Sequence, residues 1–308
     1  MSARAAPLVA AALLAPAVAL AHGAAARAPD SSAGAIDAGM ALALSLALAL
    51  YGVGTARVWR RAGAGRGVRR GEALAFAAGW LALAAAILSP IDRLGGERFS
   101  AHMLQHELLM LVAAPLLVRA RPQKGIAWGL PGRARGSAMR VLRGRTARAA
   151  WRKATGLAAA WLAHAAALWL WHVPALFEAS VESDAVHAFQ HVSFFASAVL
   201  WWASLGAASA PGADRHGAAL FSVFTTALHG GALGALLVFS RTVWISAYEA
   251  SAHARGFSAL EDQQLAGLVM WIPAGVLFAA VSAALVWRWL EEAARRSTRS
   301  STPRGAAG

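Results

Sequence analysis

Residues 264–287 read QLAGLVMWIPAGVLFAAVSAALVW and contain no charged side chain. A stretch of this length can cross the roughly 30 Å hydrocarbon layer of a bilayer as one α-helix. Across the chain of 308 residues, 58% are hydrophobic and only 14% are charged, which is too apolar for the surface of a soluble protein. The sequence therefore indicates a membrane protein.

Similar apolar stretches recur along the chain and are predicted to be transmembrane helices. They run from Asp37 to Trp59, Glu72 to Pro90, Ala101 to Val118, Thr155 to Pro174, Val186 to Gly206, Gly217 to Ser240 and Gln264 to Leu290. Helices are expected because they satisfy their own backbone hydrogen bonds within lipid. The predicted fold class is an all-α membrane protein, a seven-transmembrane-helix bundle.

The N-terminal segment has the features of a secretory signal peptide. Arg4 is followed by an apolar run, and Ala19-Leu20-Ala21 provides a small-x-small cleavage site. We therefore expect a signal peptide at 1–21, a short extracytoplasmic lead-in at 22–36, the seven-helix domain at 37–290 and a cytoplasmic tail at 291–308.

Charges in the connecting segments predict the orientation in the membrane. Lys and Arg are the only charged residues from Arg119 to Lys153, between the third and fourth helices, whereas Glu178, Glu182 and Asp184 follow the fourth. Because Lys and Arg are concentrated in cytoplasmic loops, the basic segment is predicted to be cytoplasmic and the acidic one extracytoplasmic. The expected location is the cell inner membrane, multi-pass, with the mature N-terminus outside and the C-terminus in the cytoplasm.

Histidines concentrate near the predicted outer ends of the helices. His102 and His106 are four residues apart on the third helix, and His187 and His191 repeat this spacing on the fifth, so that each pair lies on one helix face. His172 lies at the outer end of the fourth helix. Two imidazole pairs on different helices can form a metal site within a bundle.

Other residues are candidates for supporting such a site. The chain contains no cysteine, so thiolate ligands are excluded. Possible supporting residues are Met110, His229, Asp262, Gln263 and Glu107. A solitary histidine inside a span more often packs through hydrogen bonds, which is the interpretation favoured for His164. His22, His216 and His253 are predicted to be solvated loop residues.

Four segments together resemble one known family. They are His102-Met103-Leu104-Gln105-His106, Trp169-Leu170-Trp171-His172-Val173-Pro174, the pair His187 and His191 with Gln190 between them, and the run from Asp262 to Trp271. In this order they resemble the seven-helix CtaG family of cytochrome c oxidase assembly factors, from about Ile36 to Leu290. The resemblance implies a non-enzymatic role in maturing a haem–copper oxidase, by handling copper on the outer side.

The resemblance and the residues leave two other functions open. The same histidines could be haem ligands in a b-type membrane oxidoreductase, or the chain could be a copper or small-solute permease. The expected partners are cytochrome c oxidase subunits and the lipid bilayer. Nucleic acid is not expected as a partner, since the basic residues that give a net charge of +14 lie in blocks between apolar spans.

Overall fold

The computed structural model describes the backbone of residues 29–210 and 215–300, and the side chains of residues 38–210 and 215–297. The expected signal peptide at 1–21 lies outside the described residues. In chain order the helices are α1 (Pro29–Ala62), α2 (Arg70–Leu88), α3 (Pro90–Gly95), α4 (Phe99–Glu107), α5 (Ala114–Ala120), α6 (Gln123–Gly129), α7 (Gly132–Arg143), α8 (Arg145–Ala154), α9 (Leu157–Trp171), α10 (Pro174–Glu182), α11 (Asp184–Ala208), α12 (His216–Phe239), α13 (Glu249–Arg255) and α14 (Ala259–Ser300).

The described residues form only helices and their connections, which confirms the all-α membrane fold. Six helices are long and apolar enough to cross a bilayer: Ala38–Ala62, Arg70–Leu88, Phe99–Ala120, Asp184–Ala208, His216–Phe239 and Ala259–Ser297. A seventh span is obtained when α8 and α9, which meet at a bend of 63°, are counted together. By itself α9 has 15 residues, about 22 Å, which is short for a bilayer.

The third span is interrupted near its middle. A π-helical segment, Leu108–Ala113, joins α4 to α5. Such wider turns leave carbonyl groups without their usual α-helical partners, and here the carbonyl of Met110 accepts a hydrogen bond from Trp202 Nε1 at 2.9 Å. The 3.6-residue period used to predict this span therefore changes after Glu107.

The last helix is longer than the apolar pattern predicted. It was expected to end at Leu290 but continues to Ser300. The added turns contain helix-favouring Ala, Glu and Arg residues, and Arg295 lies 3.3 Å from Glu291 across one turn. At the other end, α1 begins at Pro29, within the segment predicted as a lead-in.

Glycines allow two pairs of helices to pack backbone against backbone. A Cβ atom on Gly267 of α14 would lie 2.6 Å from the carbonyl oxygen of Gly234 in α12, too close for any side chain. In α1, a Cβ on Gly54 would lie 1.7 Å from the carbonyl oxygen of Gly125, so that α6 packs tightly on α1. Arg57 extends this contact by donating to the carbonyl oxygen of Gly129 at 3.0 Å.

Candidate metal centre

The start of α4 is fixed by a side chain from the opposite end of the sequence. Asp262, near the start of α14, accepts a hydrogen bond from the backbone nitrogen of Phe99 at 2.6 Å and another from the hydroxyl of Ser100. A carboxylate at a helix N-terminus satisfies free N–H groups and complements the helix dipole. Asp262 thereby positions the first turns of α4, which carry His102 and His106.

The two histidine pairs converge near the N-terminal ends of α4 and α11, which are the predicted outer ends. We define the outer cluster as His102, His106, His187 and His191. Ring centroids are 4.5 Å apart for His102 and His106, 4.2 Å for His187 and His191, 4.9 Å for His102 and His187, and 5.3 Å for His106 and His191. Each imidazole therefore contacts the next, although the pairs lie more than 80 residues apart in sequence.

Three members of the outer cluster are close enough to share one ion. Ring nitrogens of His102, His106 and His191 all lie within 4.8 Å of one another. These side chains are buried, with exposed fractions of 1%, 1% and 4%. His187 is half-buried and lies one helical turn from His191, nearer the start of α11.

Tyr248 orients the ring of His102. Its hydroxyl donates to the carbonyl oxygen of Gly95 at 2.9 Å, and burial, followed by the nearby charge of Asp262, raises the pKa of this tyrosine, so that the proton stays in place. The 3.0 Å contact between the hydroxyl and His102 Nδ1 must then use the proton of the imidazole. The other ring nitrogen of His102, Nε2, lies 3.2 Å from Oε1 of Gln190, so contacts on both sides fix the orientation of this imidazole.

Other imidazole nitrogens in the outer cluster lack a hydrogen-bond partner. Both ring nitrogens of His106 and Nε2 of His191 are buried without one. Leaving a buried polar group unsatisfied typically costs about 1–3 kcal/mol, so such groups are uncommon unless a ligand or water completes them. The nitrogens that face one another in this cluster have the donor chemistry that a metal ion of the late transition series prefers.

His172 lies beside the outer cluster without joining its ring contacts. Its Nδ1 donates to the carbonyl oxygen of Leu168 at 2.7 Å, and its Nε2 is buried without a partner. Its ring contacts Phe177 at 6.3 Å and Phe194 at 6.2 Å, and these phenylalanines in turn contact His102 and His106. His172 is close enough to interact electrostatically with both histidines of α4.

The predicted supporting residues occupy different positions. Met110 is buried in the apolar core within the π-helical segment, so the i+4 step from His106 does not follow α-helical geometry. Gln263 bonds the backbone of Trp244 and Thr242. Glu107 is buried, and its Oε2 has no partner. His229 lies apart from the outer cluster, beside Trp161, with ring centroids 5.7 Å apart.

The segment 241–258, between α12 and α14, covers the outer cluster, and we call it the strap. Tyr248, which contacts His102, is part of it. Ser246 of the strap bonds Glu178 of α10 through both its backbone nitrogen, at 3.0 Å, and its hydroxyl. Arg255 forms an exposed ion pair with Glu97 at 2.6 Å. The contact of the strap with the outer cluster could not be predicted from the sequence, because no local pattern links Tyr248 to His102.

The short helix α3, which precedes α4, contains a half-buried acidic residue. Asp92 of α3 accepts a hydrogen bond from Gln105 Nε2 at 2.5 Å, and Gln105 also donates to the carbonyl oxygen of Ala86. Burial raises the pKa of Asp92. Because Gln105 precedes His106 on α4, this contact ties the helix that carries the cluster to α2 and α3.

One histidine prediction was wrong. His216 was expected to be a solvated loop residue, but it is buried at the start of α12, 3.7 Å from Glu292 of α14. Its position was missed because the burying partner comes from the extension of α14 beyond the predicted span. His253 is exposed as expected, and His22 lies outside the described residues.

Comparison with known proteins identifies the family of the chain. The family model described as cytochrome c oxidase caa3 assembly factor matches residues 49–292. The chain belongs to this caa3 assembly factor family. The matched range runs from α1 into α14 and includes every histidine of the outer cluster, His172 and Asp262. The resemblance to cytochrome c oxidase assembly factors noted in the sequence is thus confirmed, and the match covers most of the chain. No curated protein and no solved structure matches the chain.

Proposed function

We propose that this protein assists assembly of a caa3-type cytochrome c oxidase by holding copper transiently in the outer cluster. The observation that carries the proposal is the convergence of His102, His106 and His191, whose ring nitrogens lie within 4.8 Å of one another. His187 contacts this group from the less buried side and would be the first imidazole met by an ion entering from outside. His172 contacts Phe177 and Phe194, which in turn contact this group, and it is a further ligand candidate.

The ligand chemistry favours copper in its monovalent state. The outer cluster offers only neutral imidazoles, and within the described part of the chain the metal-holding group contains no carboxylate. A buried charge without a counter-charge is costly, and the cost rises steeply with the charge of the ion. Imidazole suits copper as well as zinc. Cu(I) therefore fits this neutral, buried set better than a divalent ion does.

The same ligand set is suited to temporary binding. Thiolates hold soft metals most firmly, and the chain has no cysteine with which to retain them. Neutral imidazoles bind copper more weakly and leave the ion available to a recipient with stronger ligands. This is the property expected of a factor that passes copper to an oxidase subunit instead of using it in electron transfer.

The contacts between rings favour a metal ion over haem. In a bis-histidine haem the macrocycle lies between the two axial imidazoles and keeps them apart. Here His106 and His191 approach to 5.3 Å between centroids, in direct contact. A purified protein without a Soret band would agree with this interpretation, whereas a strong Soret band would support the oxidoreductase alternative.

The decisive experiment is a count of bound Cu(I) on purified protein in detergent, under anaerobic conditions. The double variant His102→Ala and His106→Ala should lose one equivalent relative to the parent, because it removes two of the three converging nitrogens. The matched control is His253→Ala. His253 is exposed and is not part of the outer cluster, and its Nδ1 bonds the backbone of its own helix. Equal copper binding in parent and double variant would overturn the proposal.

A cellular test addresses the role in assembly. In a strain that lacks the gene, oxidase activity should fall and should be restored by the parent chain but not by the double variant. Partial rescue by added copper would support delivery of the ion. Full restoration by the double variant would show that assembly does not use the outer cluster.

A further inference from the structure

Three arginines converge on one tryptophan where α6 leads into the basic helix α7. The guanidinium carbon of Arg61, on α1, lies 5.3 Å from the centre of the Trp128 ring, and that of Arg135, on α7, lies 4.6 Å from the same ring. Arg57, one turn before Arg61, donates to the carbonyl oxygens of Trp128 and Gly129, both at 3.0 Å. We define the arginine site as Trp128 with Arg57, Arg61 and Arg135.

Backbone packing fixes the position of Trp128. A Cβ atom on the next residue, Gly129, would lie 2.1 Å from the carbonyl oxygen of Leu50, so this end of α6 lies directly on α1. Arg57 bonds two carbonyl groups at the end of α6, where helical carbonyls lack backbone partners. The half-buried Trp128 is therefore held on the surface of α1, and the arginines meet it from α1 and from α7.

The protein supplies no counter-charge to the arginine site. Neither α6 nor α7 contains an acidic residue. The acidic residue of α2, Glu72, is buried and accepts a hydrogen bond from the backbone nitrogen of Arg69. Among the described residues, the acidic partners in ion pairs are Glu97, Glu291 and Glu292, and none of these pairs includes an arginine of the site. Like charges repel one another, so the arginine site favours a bound anion.

The site lies at one end of an apolar face of α1. Leu42, Leu46 and Val53 are exposed side chains of this helix. With Arg57 they follow one another at intervals of four, seven and four residues, which keeps them on one face. In a chain that spans the bilayer, such a face contacts acyl chains. Because Arg57 lies in the last two turns of the span Ala38–Ala62, the arginine site lies where this face reaches the headgroups.

Helix α7 has a second feature of a bilayer surface. Val141 is 69% exposed although Arg140 and Arg143 lie close to it in sequence. A basic helix with an exposed apolar side chain is suited to lie on anionic headgroups, where lipid covers the apolar group and the charges meet phosphates. Arg135, which contacts Trp128, belongs to the same helix.

We propose that the arginine site binds the phosphate headgroup of an anionic phospholipid, such as phosphatidylglycerol. Guanidinium groups match a phosphate through paired N–H donors. The acyl chains would lie along the apolar face of α1, which an acidic protein segment or a free phosphate would not use. This inference goes beyond the proposed function, and the arginine site shares no residue with the outer cluster.

The test measures the lipid bound to purified full-length protein by native mass spectrometry, with phosphatidylglycerol or phosphatidylcholine added to the detergent. The parent should retain phosphatidylglycerol in preference. The variant Arg61→Gln and Arg135→Gln should bind it about 10-fold more weakly or worse, since each basic residue near an anionic lipid surface strengthens binding about fivefold. Arg57 is left unchanged because it also holds α6 on α1. An unchanged affinity in this variant would overturn the proposal.

The matched control is Arg148→Gln and Arg152→Gln, which removes the same charge from exposed positions of α8 outside the arginine site. It should keep the affinity of the parent. Equal losses in the two double variants would show a diffuse attraction by net charge and would overturn a site at Trp128. Both double variants should bind as much Cu(I) as the parent, so a failure of the arginine site is distinguishable from a failure of the outer cluster.

A competition on the unchanged protein distinguishes the possible occupants and remains informative if a variant fails to fold. Glycerophosphoglycerol, which is the headgroup without acyl chains, should not displace phosphatidylglycerol at equal concentration, and neither should polyglutamate. Displacement by glycerophosphoglycerol would overturn a lipid in favour of a small phosphate ligand. Displacement by polyglutamate would overturn it in favour of an acidic protein segment.

Discussion

Tyr248 connects the strap to the candidate metal ligands. Its hydroxyl donates to Gly95 and contacts Nδ1 of His102, so it fixes the orientation of that imidazole ring. The histidine pairs were predictable from their four-residue spacing, because that spacing alone brings two rings to one face of a helix. The contact with Tyr248 was not, since it joins positions 146 residues apart with no repeating pattern between them.

Replacing Tyr248 with Phe should weaken Cu(I) binding by about 10- to 100-fold, which is the usual effect of removing a residue that orients a metal ligand. The protein should still fold, because the ring remains to pack against Phe99 and Phe177. Competition with a chromophoric chelator measures the affinity.

The control is Tyr51→Phe, at the other tyrosine of the chain, which stacks on Phe76 between α1 and α2. It should leave the affinity unchanged. An affinity of Tyr248→Phe equal to that of Tyr51→Phe would contradict the orienting role.

Among the helices, the apolar stretches predicted where the spans lie, but not the continuation of α14 to Ser300 or the departures from α-helical geometry inside the spans. Hydropathy reports burial in lipid and carries no information about hydrogen-bond register, so the π-helical segment after Glu107 left no signal in the composition. Likewise, the packing of α6 on α1 depends on Gly54, Gly125 and Gly129 meeting across a loop.

Two glycines on α1 give a matched test of that packing. Gly54→Ala should destabilise the protein by about 1–3 kcal/mol or more, because the new methyl group would overlap the backbone of α6. Gly52→Ala, two residues away, meets nothing within 4 Å and should be neutral or stabilising by up to about 1 kcal/mol. Unfolding midpoints in detergent measure the difference, and equal midpoints would show that α6 does not pack on α1 as described.

For the molecule as a whole, the charge distribution predicts which end of the bundle faces the cytoplasm, and the structure separates the same two groups of charges. The basic helices α7 and α8 contain no acidic residue, whereas Glu178 of α10 bonds Ser246 of the strap. Six of the seven predicted spans are single long helices, and the fourth is formed by two helices that meet at a bend. There, the bend between α8 and α9 follows Gly156 and shortens the straight segment.

The orientation can be measured because the chain has no native cysteine. Ala185→Cys, at the exposed start of α11, should react with a membrane-impermeant maleimide added to spheroplasts. Ser137→Cys, exposed on α7, should react only after the membrane is permeabilised. The opposite labelling pattern would place the outer cluster on the cytoplasmic side and would contradict copper handling from outside.

The strap could control the rate at which an ion enters or leaves the outer cluster, whereas the imidazoles determine its affinity. Its buried residue Tyr248 bonds Gly95, whereas its exposed fastening is the ion pair of Glu97 and Arg255, whose side chains are 39% and 41% exposed. Such solvent-screened charges contribute little to stability. The imidazoles beneath it are shielded from the same solvent. A partner protein with a charged surface could therefore loosen the exposed edge of the strap by competing for that ion pair, without altering any metal ligand.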